Sequence, residues 1–407
     1  MKGKELWIFT LRFPFGNGEA FLESELRVLA QGFDRVRLIP LIAEGEARPL
    51  PSNVTVERLL DSDRNRSLGP VATVLEAPRL LSVLRTVLSS APSSEVRRKE
   101  RREVVSRIRQ ALRREHLLVD RLGAEYDPQR VVLYSYWAAD WATVLGLWRL
   151  RDPRVHFICR MQGFDLYDHR TESGWQQFQA FHVQQAERIF CVARAGLEHV
   201  QARYPEAAAK FRLSHMATDD HGPAPWRPDP VLRIISCSNL VPLKRVHLIA
   251  EALQRMEIPV EWTHFGDGPE RARVAAAIAL LPAHIQAQLK GSVPNSALLE
   301  HYGRHPFDMF VHMSSTEGGA PVAIQEAIGF GIPVIAADAG GTRDVVTEVT
   351  GITLPNAATP EMLAQVLGTF RASRWYDPIA RAEVRAFWSQ HFNAVQVHGA
   401  FLQELKA

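Results

Sequence analysis

The sequence predicts an α/β protein of two open parallel-sheet domains, and three observations carry that expectation. Short apolar runs alternate with helical patterns along most of the 407 residues, as parallel βαβ units require. The length suits two domains with cores of their own. Near the middle, a run of prolines from Pro223 to Pro230 breaks the series and reads as a linker. The expected division is an N-terminal domain over 1–222, a linker over 223–230, a C-terminal domain over 231–380 and a final helix over 381–407. That helix carries Phe387, Trp388 and Phe392 and is expected to brace the two halves.

In chain order the expected strands are Leu6–Thr10, Val36–Pro40, Val131–Tyr134, His156–Cys159, Ile189–Val192, Arg233–Cys237, Val260–Phe265, Met309–His312 and Val334–Ala336. Helical periodicity separates most of them; after the first, Leu22, Leu26 and Leu29 fall on one face. Two such domains facing each other create a cleft, and ligands are expected there at the carboxyl ends of the strands.

Hydrophobic residues make up 46% and charged ones 23%, which excludes a largely disordered chain, a collagen and a disulfide mini-protein. No run offers the roughly 20 apolar residues a membrane-spanning helix needs. The best stretches, 274–289 and 386–403, are interrupted by Pro282 or dotted with Gln, His and Asn. Cys159, Cys191 and Cys237 are far apart with no Cys-x-x-Cys pair, which suits a reducing compartment. The opening residues run straight into the first strand and leave no room for a signal peptide. A soluble, cytoplasmic protein is expected.

The net charge of +3 says little about partners, but one segment differs. Arg97–Arg114 holds nine basic residues against Glu100 and Glu103, with Val104, Val105, Ile108, Ala111 and Leu112 at helical spacing. It reads as a basic amphipathic helix within a helical segment over about 70–120, preceded by a stripe of Leu80, Leu81, Leu84, Val87 and Leu88. Such a face is either solvated or laid on an anionic membrane, and cytoplasmic placement would then include the membrane face. Nucleic acid is not expected, because no aromatic residues interleave the cluster.

The densest chemical signal runs from Ser314 to Ala327. It follows a strand, holds Glu317, Gly318 and Gly319 in a loop, sets Pro321 at the first helical position, and places Glu326 within the helix. Gly331 and Pro333 end that helix before the next strand. Gly318 and Gly319 therefore stand at a helix N-terminus, where N–H groups favour an anion or sugar hydroxyls. Glu317 and Glu326 suit the hydroxyls of a sugar and a ribose; the plain alternative is a capping acid and a surface acid. Lys244 and Arg245 follow the strand Arg233–Cys237 and read beside that loop as a phosphate clamp. Gly266-Asp267-Gly268-Pro269 and Gly291-Ser292-Val293-Pro294-Asn295 either lend backbone groups to a nucleotide or are ordinary turns.

With these residues the chain resembles a retaining glycosyltransferase of family 4, with the GT-B architecture of two Rossmann-like domains. It is similar in particular to bacterial enzymes that build exopolysaccharide, O-antigen or lipid-linked glycans. The resemblance covers essentially the whole length and is most specific from Ile234 to Val346. It implies that Lys244 binds phosphate, that Glu317 contacts the donor hexose, that Glu326 holds the ribose, and that residues near Val293 hold the nucleobase. It implies a nucleotide-sugar donor, UDP- ahead of GDP-linked, a glycan or lipid-linked acceptor, and no metal or other cofactor. This sequence departs from the family in three places. Glu317 and Glu326 are separated by eight residues rather than seven, so the Gly318-Gly319-Ala320 loop must bulge. The arginine usual before the lysine is replaced around Asn239, leaving Arg245 as its substitute. In Ile158–Tyr167 the family's His-Gly-x-Asp reads Gln162-Gly163-Phe164-Asp165, and glutamine cannot accept a proton. In the front-face mechanism proposed for the family a donor phosphate oxygen takes that proton, so Gln162 is compatible with activity.

After the first strand, Gly16 and Gly18 sit in a strand-to-helix turn that lets backbone approach a ligand closely. This resembles the family's N-domain glycine loop near the donor phosphates. As a dinucleotide fingerprint it fails, because Phe21 occupies the third glycine position. Tyr136 and Asp165 are assigned to the acceptor side, although the Tyr134–Trp137 aromatics serve equally well as core. Asp61-Ser62-Asp63 has the Asp-x-Asp form of a metal site but lies in a polar loop and reads as a turn. His301 and His305 have ligand spacing without a third ligand, so no zinc is expected. The rival readings are a non-catalytic scaffold or nucleotide-sugar-binding subunit of a glycan-assembly complex, and a nucleotide-sugar hydrolase or epimerase.

Overall fold

The computed structural model describes residues 4–16, 18–60 and 66–406, so Asp61-Ser62-Asp63 lies outside the described residues. The chain divides into two compact units, one formed by 1–214 with 398–407 and the other by 215–397.

Unit 1 runs β1 (Glu5–Thr10), α1 (Leu22–Gly32), β2 (Arg35–Pro40), β3 (Val54–Val56), α2 (Pro70–Leu75), α3 (Ala77–Ser89), α4 (Ser94–Leu122), β4 (Val131–Ser135), α5 (Asp140–Arg151), β5 (Phe157–Met161), α6 (Gln179–Gln185), β6 (Arg188–Cys191), α7 (Arg194–Arg203) and β7 (Phe211–Leu213). All pairings are parallel, in the order β3-β2-β1-β4-β5-β6-β7. The order reverses between β1 and β4, where Ile8 faces Leu38 on one side and Tyr134 on the other. Inner strands such as β1 are buried on both faces, as a helix-covered parallel sheet requires.

The basic segment is a single 29-residue helix, α4, capped by Ser93, whose Oγ accepts from the Val96 N–H at 3.2 Å. Val104, Ile108, Ala111 and Leu112 are buried as expected. Its charge is not one face, however. Arg97, Arg98, Lys99, Arg101 and Arg102 are exposed, whereas the later cations are tied down. Arg109 donates to the Leu68 carbonyl at 2.6 Å, and Arg114, itself buried, pairs with Asp140 at 2.7 Å. Beyond residue 102 the helix packs among other elements, so its cations take internal partners. Leu81 is likewise 61% exposed and leaves the stripe of α3.

Unit 2 runs β8 (Leu232–Cys237), α8 (His247–Leu253), β9 (Val260–Phe265), α9 (Arg271–Ile278), β10 (Ile285–Leu289), α10 (Asn295–Arg304), β11 (Met309–His312), α11 (Val322–Gly329), β12 (Val334–Ala337), α12 (Thr342–Val345), β13 (Gly351–Leu354), α13 (Pro360–Thr369) and α14 (Pro378–His391); α15 (Ala394–Lys406) follows, and from His398 it belongs to unit 1. Its sheet repeats the same logic in the order β10-β9-β8-β11-β12-β13, reversing between β8 and β11. The proline stretch packs on this unit: Ala224 N–H donates to the Phe330 carbonyl at 2.9 Å and Trp226 Nε1 to Asp308 at 2.8 Å.

The final helical pattern is two helices, broken at Phe392 and Asn393. There the Thr218 N–H donates to the Phe392 carbonyl and the Ala394 N–H to the Thr218 carbonyl, both at 2.9 Å. Trp388 on α14 is buried in unit 2. Phe401 on α15 packs in unit 1 against Tyr134 and Phe190, with ring centroids 5.3 and 4.9 Å away. Cys159, Cys191 and Cys237 are free thiols. Among the described residues no helix is long and apolar enough to cross a membrane.

Candidate functional site

The chemistry-bearing loops of unit 2 gather where its strand order reverses. The loops at the carboxyl ends of β8 and β11 meet there, where open α/β sheets take their ligands. Lys244 ends a short 3-10 turn after β8, and Glu317 lies in the loop after β11. Lys244 Nζ is 2.5 Å from Glu317 Oε1, and His312 Nε2 is 2.7 Å from the same oxygen. Both hydrogen bonds go to Oε1, and neither partner donates to Glu317 Oε2. Burial alone would raise the Glu317 carboxyl. The His312 hydrogen bond and charge, with Lys244, outweigh it and hold the group at about 2, so it is an anion at neutral pH.

Arg245 has another task. Its backbone is left-handed at φ 47°. Its guanidinium donates to the carbonyls of Met313 at 2.8 Å, Asn356 at 2.7 Å and Ser314 at 3.3 Å. With Asn356 Oδ1 at 3.2 Å, four of the fork's five N–H donors have a partner in these loops. Arg245 thus braces the loop that carries Glu317 rather than reaching outward as a phosphate ligand. Ser315 adds to the brace, its N–H donating to the Leu243 carbonyl at 2.8 Å.

Glycines let these loops close on one another. A Cβ on Gly266, at φ 134°, would lie 1.9 Å from the Ser238 carbonyl oxygen. One on Gly341 would lie 2.3 Å from the Gly319 carbonyl carbon. Gly318 and Gly319 are half-buried in the bulged loop. The helix α11 begins at Val322 with Pro321 as its N-cap, one residue later than the spacing predicts.

Glu326 sits on α11, and Asn295 Nδ2 donates to its Oε1 at 2.8 Å. Asn295 opens α10 directly after the Gly291–Pro294 loop, so the segment with Val293, 37% exposed, is drawn toward Glu326. Burial pushes the Glu326 carboxyl up to about 7, against the Asn295 hydrogen bond, which lowers it. A carboxylate accepts two hydroxyl donors, whereas the protonated acid must give one acceptor up. Affinity for a ligand whose hydroxyls both donate to Glu326 is therefore expected to fall as pH drops through 7, and to lose this dependence in Glu326→Gln. Calorimetry at pH 8 and pH 6 checks it.

Unit 1 places its candidates at the corresponding reversal. Gly16, at φ 63°, and Gly18 present carbonyls to Arg48 at 2.8 and 3.1 Å. Glu19, itself left-handed at φ 52°, accepts the N–H groups of Leu11, Arg12 and Phe13 at 2.9, 2.7 and 2.7 Å. It also accepts Trp137 Nε1 at 2.7 Å, which joins the loops after β1 and β4. Gln162 is half-buried beside Tyr136. Its N–H donates to Asp165 Oδ1 at 2.7 Å, and the Ala138 N–H donates to Oδ2 at 3.1 Å. Asp165 and Tyr136 are 3% and 0% exposed, so both support the loops carrying Gln162 and Trp137 and neither faces solvent to meet an acceptor. Burial raises the Asp165 carboxyl to about 6, against the N–H groups that lower it.

Sequence reasoning missed His312, Asn295, Glu19 and the Gly340–Gly341 pair. Two were readable, since His312 closes a strand and the glycine pair follows one. Asn295 and Glu19 owe their roles to contacts distant in sequence. No group of three or more His, Cys, Asp or Glu among the described residues is placed to hold a metal ion.

Residues 225–372 match the family model "Glycosyl transferases group 1". A GDP-mannose-dependent alpha-mannosyltransferase of Mycobacterium tuberculosis (strain CDC 1551 / Oshkosh) is 30% identical over 199 residues, 46% of this chain and 48% of that protein. The amylovoran biosynthesis glycosyltransferase AmsK of Erwinia amylovora is 25% identical over 170 residues, 39% of this chain and 42% of that protein. The chain thus spans less than half the length of these relatives. Anabaena HepE, solved in complex with UDP, superposes with a TM-score of 0.65 at 16% identity, over 99% of both chains. Residues 225–372 are thus similar to the glycosyl transferases group 1, within a chain that has the GT-B fold of two Rossmann-like α/β units.

Proposed function

We propose that the protein is a retaining glycosyltransferase that moves a hexose from a nucleoside diphosphate sugar to a hydroxyl of a glycan or lipid-linked glycan, in bacterial surface polysaccharide synthesis. The observation that carries this reading is the Lys244–Glu317–His312 cluster at the strand-order reversal, with Glu326 nearby on α11. Glu317 Oε2 accepts from the hexose, Glu326 accepts from the ribose, and the Val293 segment borders the base. In transfer, the acceptor oxygen bonds to the anomeric carbon as the bond to the departing phosphate oxygen breaks. The acceptor proton passes to that phosphate oxygen, since Gln162 can orient a hydroxyl but cannot take a proton. Lys244 and the Gly318–Gly319 amides stabilise the charge that grows on the diphosphate.

The M. tuberculosis relative, named for GDP-mannose, favours a GDP-linked donor, and the UDP complex of HepE fits the UDP expectation. Incubation with UDP- and GDP-sugars, with and without acceptor, identifies the donor by product. The expected product retains the donor's anomeric configuration by NMR, and excess EDTA leaves the rate unchanged. Free hexose formed equally without acceptor would indicate hydrolysis instead. Gln162 and the eight-residue spacing favour the scaffold reading, which predicts nucleotide-sugar binding with no turnover.

The exposed Arg97, Arg98, Lys99, Arg101 and Arg102 suit contact with an anionic membrane surface. Each cation near such a surface contributes about 1 kcal/mol. Reversing Arg97, Arg98, Arg101 and Arg102 to Glu is expected to weaken binding to phosphatidylglycerol vesicles at least a hundredfold. Unchanged sedimentation with vesicles would remove membrane contact from the account.

A further inference from the structure

A hollow of about 230 Å³ lies wholly within unit 1. Ala138 and Ala139, which follow β4, and Phe164 and Asp165, which follow β5, form part of its wall. It therefore opens at the carboxyl edge of the sheet, where α/β proteins take ligands. Its volume suits one pyranose ring rather than a nucleotide.

The wall is built for an anion. Arg107 reaches in from α4 and Arg170 from the loop after β5. The guanidinium of Arg107 lies 4.9 Å over the Phe178 ring and spends one N–H on Gln177 Oε1 at 2.9 Å. Ala139 is the N-cap of the 12-residue helix α5, whose N-terminal dipole adds positive potential. The nearby carboxylates are already engaged, Asp165 by two backbone N–H groups and Asp140 by Arg114. His182 lines the hollow at 2% exposure. Its Nε2 lies 2.8 Å from the Thr143 hydroxyl. The Ala138 backbone lies within hydrogen-bonding reach of the ring. Burial, then the charge of Arg107, holds the imidazole at about 3, so it is neutral at physiological pH and adds no charge to the wall. An adjoining hollow of about 400 Å³ shares Arg107, Thr171, Gln176 and Gln177. It mixes Lys99 and Arg107 with Glu100, Glu103 and Glu172, so the inner hollow is the one that selects by charge.

We propose that this hollow is the subsite for an anionic, hydroxyl-bearing ring of the acceptor, a hexuronate or a sugar phosphate, held by Arg107 and the N-terminus of α5. The assignment to acceptor rests on the glycosyltransferase reading; the anionic-ring site itself does not.

The test titrates the full chain with glucuronate, glucose 6-phosphate and glucose, followed by ligand-detected NMR, and titrates UDP and GDP in parallel. The anionic rings are expected to bind at least tenfold more tightly than glucose. The preference for glucuronate over glucose 6-phosphate, or the reverse, identifies the anion. Arg107→Met, which keeps the stem over Phe178, should abolish the preference. Arg107→Lys, which keeps the charge but loses the fork, should weaken it three- to tenfold and serves if the first variant does not fold. Nucleotide binding in unit 2 should be unchanged in both. Equal affinity for glucose and the anionic rings, or a preference that survives Arg107→Met, overturns the subsite. Loss of nucleotide binding by the unaltered chain would instead overturn the donor reading and leave an anionic-sugar site standing.

Discussion

Replacing Lys244 with alanine is expected to lower kcat for glycosyl transfer by about 10²–10³, the usual cost of removing one preorganised group from a developing anion. The reason is local. In the unliganded protein Lys244 Nζ is 2.5 Å from Glu317 Oε1, half-buried on a turn fixed after β8. A diphosphate arriving there meets a cation already in place, so no rearrangement is needed as its charge grows. Alanine removes that charge and one of the two donors to Glu317. His312 remains at 2.7 Å, so the carboxylate keeps one partner and the loop should hold its shape. The loss should therefore appear in kcat more than in the melting temperature. Steady-state kinetics beside a thermal melt separate the two, and a kcat within threefold of the unaltered enzyme would remove Lys244 from the transition state.

The second large effect concerns folding. Arg160 and Glu25 are both 0% exposed and paired at 2.6 Å. Glu25 Oε1 accepts from Tyr134 Oη at 3.0 Å, and the Phe401 ring lies 4.7 Å from the Arg160 guanidinium. The pair thus joins α1 and β5 and seats the last helix, α15, on unit 1. Arg160→Met leaves a buried carboxylate without its cation, which costs about 3–5 kcal/mol. For a unit of this size that corresponds to a fall in Tm of roughly 10 °C. Adding Glu25→Gln, which keeps an acceptor for Tyr134, is expected to recover most of the loss. Scanning calorimetry of the two single variants and the double variant checks the coupling. A double variant no more stable than Arg160→Met alone would mean that the buried charge is not the cause.

The inner strands were legible because each is an apolar run ended by a turn. The four strands absent from the sequence reading are β3, β7, β10 and β13, and every one is a sheet edge. Val54–Val56 and Phe211–Leu213 have three residues each, and Ile285–Leu289 alternates Ile, Ala and Leu with two glutamines. Edge strands bury one face or less, so no continuous hydrophobic run marks them. Within the candidate site, Lys244 and Glu317 were legible from their places after strand ends, and Glu326 from the helix that follows. What each one touches was not. That Arg245 serves carbonyls of the β11 loop while Lys244 meets Glu317 follows from a left-handed turn at one residue and from contacts about 70 positions away. The nine cations of Arg97–Arg114 likewise looked alike in sequence, yet packing exposes Arg97, Arg98, Lys99, Arg101 and Arg102 and binds Arg107, Arg109 and Arg114 internally.

The central claim is that unit 2 holds a nucleoside diphosphate sugar between Lys244, Glu317 and Glu326. Calorimetric titration of the full chain with a panel of UDP-, GDP- and ADP-sugars addresses it most directly, with Lys244→Ala and Glu326→Ala as controls. The account predicts that one nucleotide class binds and that each variant weakens it at least tenfold. A folded protein that binds none of the panel, or binds one equally well in all three forms, would contradict it.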